Sequence, residues 1–380
     1  MKIAAVICEY NPFHTGHKYQ LETARSTLNC DAIVGVMSGN FVQRGDVSVY
    51  PKEYRAKAAL AHGMDLVLEL PAVLTLQSAE RYARNAVMTL NALGCVDELF
   101  FGAECADTEL LTQIARVLSH EDGDFRRRLR NGLSAGLSFA AARSAAIKAV
   151  LGSASAEILS QPNNILAVEY IKALIQFKSP ITPFAIARKG TGHHTPTPQE
   201  GFASATAIRE MLTENPPDAQ PYLPFQEQLP APHTIKSLEK PLLANLCLLS
   251  PEQLQNIADV SEGLEYALKR AAFSANTLPD LLNAVKSKRY AYSRLRRIVL
   301  NAYLGITHAD TKLMPSYIRI LDFNDRGQKV LNHARGTATL PLAKHGGQIK
   351  EHPDALALWQ RELNLDRIYH LFTTELFSSH

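Results

Sequence analysis

Five short runs of apolar, in part β-branched, residues at 3–7, 32–37, 66–70, 98–101 and 182–187, each followed by a longer amphipathic stretch, constrain this chain more than any other feature. Strands so widely separated cannot pair as tight hairpins. They require crossover connections, so the rhythm predicts a parallel sheet with helices on its faces. The first unit is the clearest. His17, Leu21, Ala24 and Leu28 fall at i, i+4, i+7 and i+11, one face of a helix that starts directly after the turn HTGH. The predicted class is α/β, with a Rossmann-like parallel-sheet domain first.

Beyond the fourth run, residues 107–150 read as a helical insertion with basic turns at 126–130. A helix over 164–177 leads back to the fifth run, and the polar, Gly- and Pro-rich string RKGTGHHTPTPQEG after it reads as a mobile loop. SATAIREML then opens another helix. Prolines recur through residues 216–241, which reads as a linker or a strap across the surface. The boundary is placed there, dividing the chain into 1–215, the 216–241 linker, and a mostly helical C-terminal domain over 242–380.

Composition narrows the class further. No window is apolar for the length that spans a bilayer, and the opening MKIAAVICEY is cut by Glu9 too early for a secretory leader. Five scattered cysteines without a CxxC pair suggest neither a disulfide framework nor a zinc cluster, and a cytoplasmic setting is expected. A net charge of +3 does not by itself identify a nucleic-acid binder.

In a parallel sheet, ligands bind beyond the carboxyl ends of the strands, and the residues after Ile7 occupy that position. His14 and His17 can face one pocket as hydrogen-bond donors to phosphate. Gly16 permits close approach of a nucleotide, and the helix start supplies amides and a partial positive charge. The plain alternative is a pair of histidines that caps a helix. A second helix start, Ser204, Ala205, Thr206 and then Arg209, offers hydroxyls, amides and a guanidinium to a triphosphate, or an ordinary Ser cap.

These two segments resemble the HIGH superfamily of nucleotidyltransferases, and the strings CEYNPFHTGHKYQL, VMSGNFVQRGDVSVYPKEYRAKAAL, GMDLVLELP, ALGCVDELFFGAE, PNNILAVEYIKAL and KSKRYAYSRLRRI resemble the bacterial tRNA(Met) cytidine acetate ligase family over most of the chain. The resemblance implies that ATP and acetate form acetyl-adenylate, whose acetyl group passes to N4 of the wobble cytidine of elongator tRNA(Met). It implies catalytic roles for His14 and His17, and ATP contacts from Ile7, Cys8, Glu9, Tyr10, Asn11, Pro12, Phe13, His14, Thr15, Gly16, His17, Lys18, Tyr19 and Gln20, with Gly102, Asn163 and Arg188. Gly102 would leave room for base or ribose, Asn163 or its neighbour Asn164 would pair with either, and Arg188 would fork onto phosphate. Mg2+ is expected with the triphosphate, with no protein ligand to name.

Two further readings rest on the residues. The loop MSGNFVQRGD offers Ser38, Gly39, Asn40, Gln43 and Arg44 for a second substrate, Arg44 or Gln43 with Phe41 suiting a small carboxylate. Basic residues interleaved with tyrosines from Lys286 to Arg297 suit RNA, Arg296 and Arg297 projecting away from a buried stripe at Leu295, Ile298, Val299 and Ala302. SATAIR carries Ala205 where a second hydroxyl would be expected, and no KMSKS string exists, which argues against an aminoacyl-tRNA synthetase. A small-molecule adenylyltransferase and a non-catalytic nucleotide- and RNA-binding protein stay open beside the ligase.

Overall fold

The computed structural model describes residues 1–189, 201–287 and 290–372. Its strands, numbered in chain order, are β1 (Ile3–Cys8), β2 (Ala32–Ser38), β3 (Phe41–Val42), β4 (Asp46–Val47), β5 (Leu66–Leu70), β6 (Glu98–Ala103), β7 (Thr182–Ala187), β8 (Ile318–Phe323) and β9 (Leu342–Ala343). Seven of them form one sheet in the order β7-β6-β1-β2-β5-β8-β9, and β3 and β4 make a separate antiparallel pair. The five strands that the rhythm predicts are all present and pair in parallel. Ile3, Ala5 and Ile7 join one core cluster while Ala4, Val6 and Cys8 join another, the alternation of a strand covered on both faces.

The chain steps from β1 through β2 to β5, then returns to the other side of β1 with β6 and β7, so β1 and β6 flank the topological switch point. Their ladder covers only Ala4 and Ala5 against Glu98 and Leu99. Beyond it the carboxyl-terminal halves are not paired, which leaves a crevice where such sheets bind ligands. The first helix, Thr15–Leu28, buries Leu21, Ala24 and Leu28 as expected and ends at Asn29 in the left-handed region. His17, read as part of the same stripe, turns to the crevice instead.

Three helices (Thr108–Ser119, Gly123–Ser134, Phe139–Leu151) occupy the stretch read as a helical insertion, a fourth (Ser153–Ile158) follows it, and Pro162–Gln176 returns to β7. The proline-rich segment lies as a strap. Ala219 and Leu223 pack with Val49, Tyr50 and Ile208, and the Tyr54 hydroxyl donates to the Phe225 carbonyl at 2.8 Å. Residues 190–200, most of the string read as a mobile loop, lie outside the described residues.

The C-terminal stretch read as lacking strands is largely helical but also supplies β8 and β9, which join the sheet formed by the N-terminal half. β8 runs antiparallel to β5 with a bulge at Val67/Leu68. Its sequence, IRILDF, alternates too weakly over six residues to be told from a helical turn and a half. A buried ionic cluster fastens the last helix, Pro353–Leu371, to this sheet: Lys52 Nζ donates to Glu69 Oε1 at 2.7 Å and pairs with Asp366. Arg319 Nε lies 2.9 Å from Glu69 Oε2, and Glu362 accepts the Ala72 amide at 2.8 Å. Glu69, Glu362 and Asp366 bring carboxylate oxygens within 4.8 Å of one another, with the two basic side chains already among them.

Candidate active site

A cleft of about 340 Å³ opens at the carboxyl ends of β1 and β6. Its walls come from distant parts of the chain: Glu9, His14, His17 and Gln20 from the first turn and helix, Gln43 and Arg44 from the β3–β4 loop, Gly102, Asn163 and Arg188. Ser204, Thr206, Arg209 and Arg296 complete it. A smaller pocket of about 40 Å³ adjoins it across the two histidines, lined by Gly16, Tyr19, Ile186, Phe202 and Gly102 among others.

The histidines both cap the helix and face the cleft. The Nδ1 atom of His14 accepts the Gly16 amide at 3.1 Å, and that of His17 accepts the His14 amide at 3.3 Å, a reciprocal capping box. An imidazole that accepts at Nδ1 carries its hydrogen on Nε2, so each ring keeps one donor for a ligand. The rings stack with centroids 3.7 Å apart. Burial, with Arg188 and Arg209 adding repulsion, lowers the His14 pKa to about 3; burial and His14 itself push His17 well below its ordinary value. Both are therefore neutral at physiological pH, and what each ring can offer a ligand in the cleft is a directed hydrogen bond rather than a charge.

Gly16 serves this arrangement differently from the expectation. Its amide is used by His14, and a Cβ at this position would stand 2.9 Å from His14 Cε1 and 3.1 Å from Nδ1. The glycine makes room for the imidazole. A Gly16→Ala variant should therefore displace the His14 ring and lower turnover by roughly a hundredfold, with thermal stability changed by only a few degrees. Turnover near wild type would show that the ring does not need that space.

The second segment meets the first directly. Ser204 caps the helix Ala205–Glu214 by accepting the Ala207 amide at 3.1 Å, so the ordinary cap is real, and Arg209 Nη1 donates 2.7 Å to the Asn11 carbonyl. Arg188 follows β7 immediately, and a Cβ on Gly102 would stand 3.3 Å from Gln20 Nε2 and 3.4 Å from Arg188 Cγ. The two asparagines separate. Asn163 lines the cleft, its amide donating to Glu104 Oε1 at 2.6 Å, while Asn164 is buried with its oxygen on the Cys105 amide.

Other expected residues are not brought to the cavity walls. Phe13 packs in the core, Lys18 lies 4.0 Å from Glu22, and Thr15 donates to the Gly201 carbonyl; Pro12 lines neither pocket. Of the second-substrate candidates, Gln43 and Arg44 reach the cleft, whereas Ser38, Gly39, Asn40 and Phe41 lie behind it. Asn40 is bound to Asp366 and the Lys52 amide, and the Gln43 side chain donates to the Gln77 carbonyl. Arg44 is thus the cation left facing the cavity from this loop.

The basic stretch read for RNA is also used internally. Arg296 pairs with Asp46 at 2.5 Å on the cleft wall, Arg297 holds Asp259 at 3.0 Å, and Arg294 donates to the Asp259 carbonyl and Ser261. The expectation that Arg296 and Arg297 project to solvent or a partner is corrected by these ion pairs. Lys288 and Arg289 lie outside the described residues. Sequence reasoning also passed over Arg55, which is fully buried and donates to the carbonyls of Glu9, Ser38, Gly39 and Tyr50, tying the ends of β1 and β2 together. Only the long reach of an arginine inside an otherwise helical string could have flagged it.

A parallel sheet with an HxGH turn at its switch point and a Ser-capped helix start facing that turn defines a nucleotidyltransferase of the HIGH class, and the chain matches the HIGH Nucleotidyl Transferase family model over residues 1–379. Within that class it belongs to the tRNA(Met) cytidine acetate ligase family. It is 39% identical over 363 residues to the tRNA(Met) cytidine acetate ligase of Clostridium kluyveri, covering 90% of this chain and 89% of the relative. It is 38% identical over 384 residues to that of a Thermoanaerobacter species, covering 98% and 95%. The crystal structure of apo Thermotoga maritima TmcAL superposes with a TM-score of 0.93 at 32% identity over 98% of this chain and 95% of that one, and the form bound with alpha-thio ATP with 0.90.

Proposed function

We propose that the protein activates acetate with ATP as acetyl-adenylate and passes the acetyl group to N4 of the wobble cytidine of elongator tRNA(Met). The observation that carries this reading is the meeting of two neutral Nε2–H donors, two arginines and a Ser-capped helix start on one cleft, in a chain whose relatives bear the ligase name. In the first step the acetate carboxylate attacks the α-phosphate and pyrophosphate leaves. His14, His17, Arg188 and Arg209 meet the charge that develops. Arg44 holds the carboxylate, and the adenine takes the adjoining pocket beside Tyr19, Ile186 and Phe202. Nucleotide contacts from the residues of the Ile7 to Gln20 segment that line the two cavities, with Gly102, Asn163 and Arg188, belong to this proposal, and Pro12, Phe13, Thr15 and Lys18 are left out of it.

In the second step the cytidine amine attacks the mixed anhydride, so no acyl-enzyme is needed. Mg2+ accompanies the triphosphate. Asp46 is closed by its pairing with Arg296, so the ion would keep phosphate and water as its ligands. Residues 242–380 contact the tRNA, in a cytoplasmic setting; among the described residues no helix is long and apolar enough to cross a membrane.

The test is incubation of the purified protein with ATP, labelled acetate and bulk bacterial tRNA. Label on the RNA supports the reading. Label absent from RNA, with nucleotidyl transfer instead to a coenzyme precursor, replaces it with a small-molecule adenylyltransferase; nucleotide binding without pyrophosphate release makes the protein non-catalytic.

A further inference from the structure

Acyl transfer to an exocyclic aromatic amine calls for a proton acceptor, because the nitrogen lone pair is shared with the ring and becomes available as the N–H proton leaves. The groups facing the cleft can be taken in turn. His14 and His17 have Nδ1 occupied by backbone amides and hydrogen on Nε2, so neither offers a lone pair. Burial holds the Cys8 thiol and the phenols of Tyr10, Tyr82 and Tyr170 protonated at neutral pH. Asp46 is closed by Arg296 at 2.5 Å and by the Val47 amide. Glu9 remains. It directly follows β1, the Gln43 amide donates to its Oε1 at 2.6 Å, and Arg55 grips its carbonyl. Among the described residues, no hydrogen bond engages its Oε2.

We propose that the Glu9 carboxylate is the base that takes the proton of the attacking amine in the transfer step. This rests on the acetyl-adenylate reading and supplies the group which that reading leaves unnamed. The amine nitrogen bonds to the acetyl carbon, the bond from that carbon to the phosphate-linked oxygen breaks, and AMP departs with the electron pair. The proton passes from nitrogen to Glu9 Oε2. Burial raises the Glu9 carboxyl above its usual range, against the lowering pull of the Gln43 amide and of Arg44, Arg209 and Arg55. A carboxylate so placed is a stronger base than a solvated one.

Glu9→Gln keeps an acceptor for the Gln43 amide and removes the base. With the full-length protein, acetyl transfer to tRNA should fall roughly a hundredfold. That fall should exceed by about tenfold any fall in acetate-dependent exchange of pyrophosphate into ATP, which reports the first step alone. In the parent protein the transfer rate should drop as pH is lowered through the raised Glu9 value, and this acid limb should vanish in the Gln variant. Glu9→Asp, which retains a base on a shorter stem, should outpace Glu9→Gln. A purely structural acceptor gives the reverse order. Equal falls in exchange and transfer, or an acid limb that persists in Glu9→Gln, would overturn the assignment. Absence of acetate-dependent exchange in the parent protein would overturn the acetyl-adenylate reading and Glu9's role with it, so the parent measurement tells the two failures apart.

Discussion

Replacing His17 with alanine is expected to lower acetate-dependent pyrophosphate exchange by roughly a hundred- to a thousandfold, the range seen when one preorganised donor is removed from a site where charge develops. The same change removes the acceptor at Nδ1 that holds the His14 amide at 3.3 Å, so it should also cost about 1 kcal/mol of stability. These two effects can be separated. His17→Asn offers an oxygen near the position of Nδ1 but no donor near that of Nε2. It should regain much of the lost stability and none of the lost rate. An asparagine variant as active as the parent would mean that His17 only caps its helix, and the mechanism would then need a different donor. Because both rings are already neutral in the parent protein, its exchange rate should show no limb from histidine titration between about pH 6 and 8.

Lys52→Met is expected to cost about 3–5 kcal/mol, because it removes one of the two cations that answer Glu69 and Asp366 in the interior and leaves Arg319 alone among three carboxyl groups. Asp366 lies on the last helix and Glu69 on β5, so the loss should include undocking of that helix. Urea unfolding of the variant measures the first effect, and hydrogen exchange along residues 353–371 the second. A midpoint shift worth under 1 kcal/mol would show that the cluster tolerates the missing charge. Glu362 sets the pH dependence of the same cluster. Burial first, then the charge of Glu69, raises its carboxyl well above the ordinary value of 4.5, so the native chain retains a proton that the unfolded chain has released. Stability from this group is present at low pH and declines as pH rises toward the folded value. Glu362→Gln, a permanent mimic of the protonated form, should flatten that decline and stabilise most at the alkaline end. A melting-temperature profile unchanged from the parent's would show that Glu362 is already ionised in the native state.

The nucleotide corner was legible early because its parts are close in sequence. A strand, a short turn and a helix within thirty residues fix their own geometry, and period-2 and period-3.6 patterns report burial directly. The same holds for the five parallel strands, each of which carries its signal in a short run of apolar residues. Where the signal is short or shared, the sequence alone does not separate the possibilities. β8 has six residues of weak alternation, and the arginines of RYAYSRLRRI look alike in sequence whether they bind RNA, solvent or acidic groups of their own chain.

Periodicity along the chain alone determined the parallel strands and the helix that begins at HTGH, because hydrogen-bonding geometry over a few residues leaves little freedom there, whereas the strand order and with it the switch point came only with the tertiary structure. Which imidazole nitrogen carries hydrogen, which of two adjacent asparagines meets the cleft, and that Arg296 answers Asp46 were decided only by tertiary structure. Lys52 and Asp366 stand 314 residues apart in the chain, and nothing local to either announces the other. Electrostatic pairing and desolvation depend on distance through space, and folding sets that distance only after every intervening element has been packed.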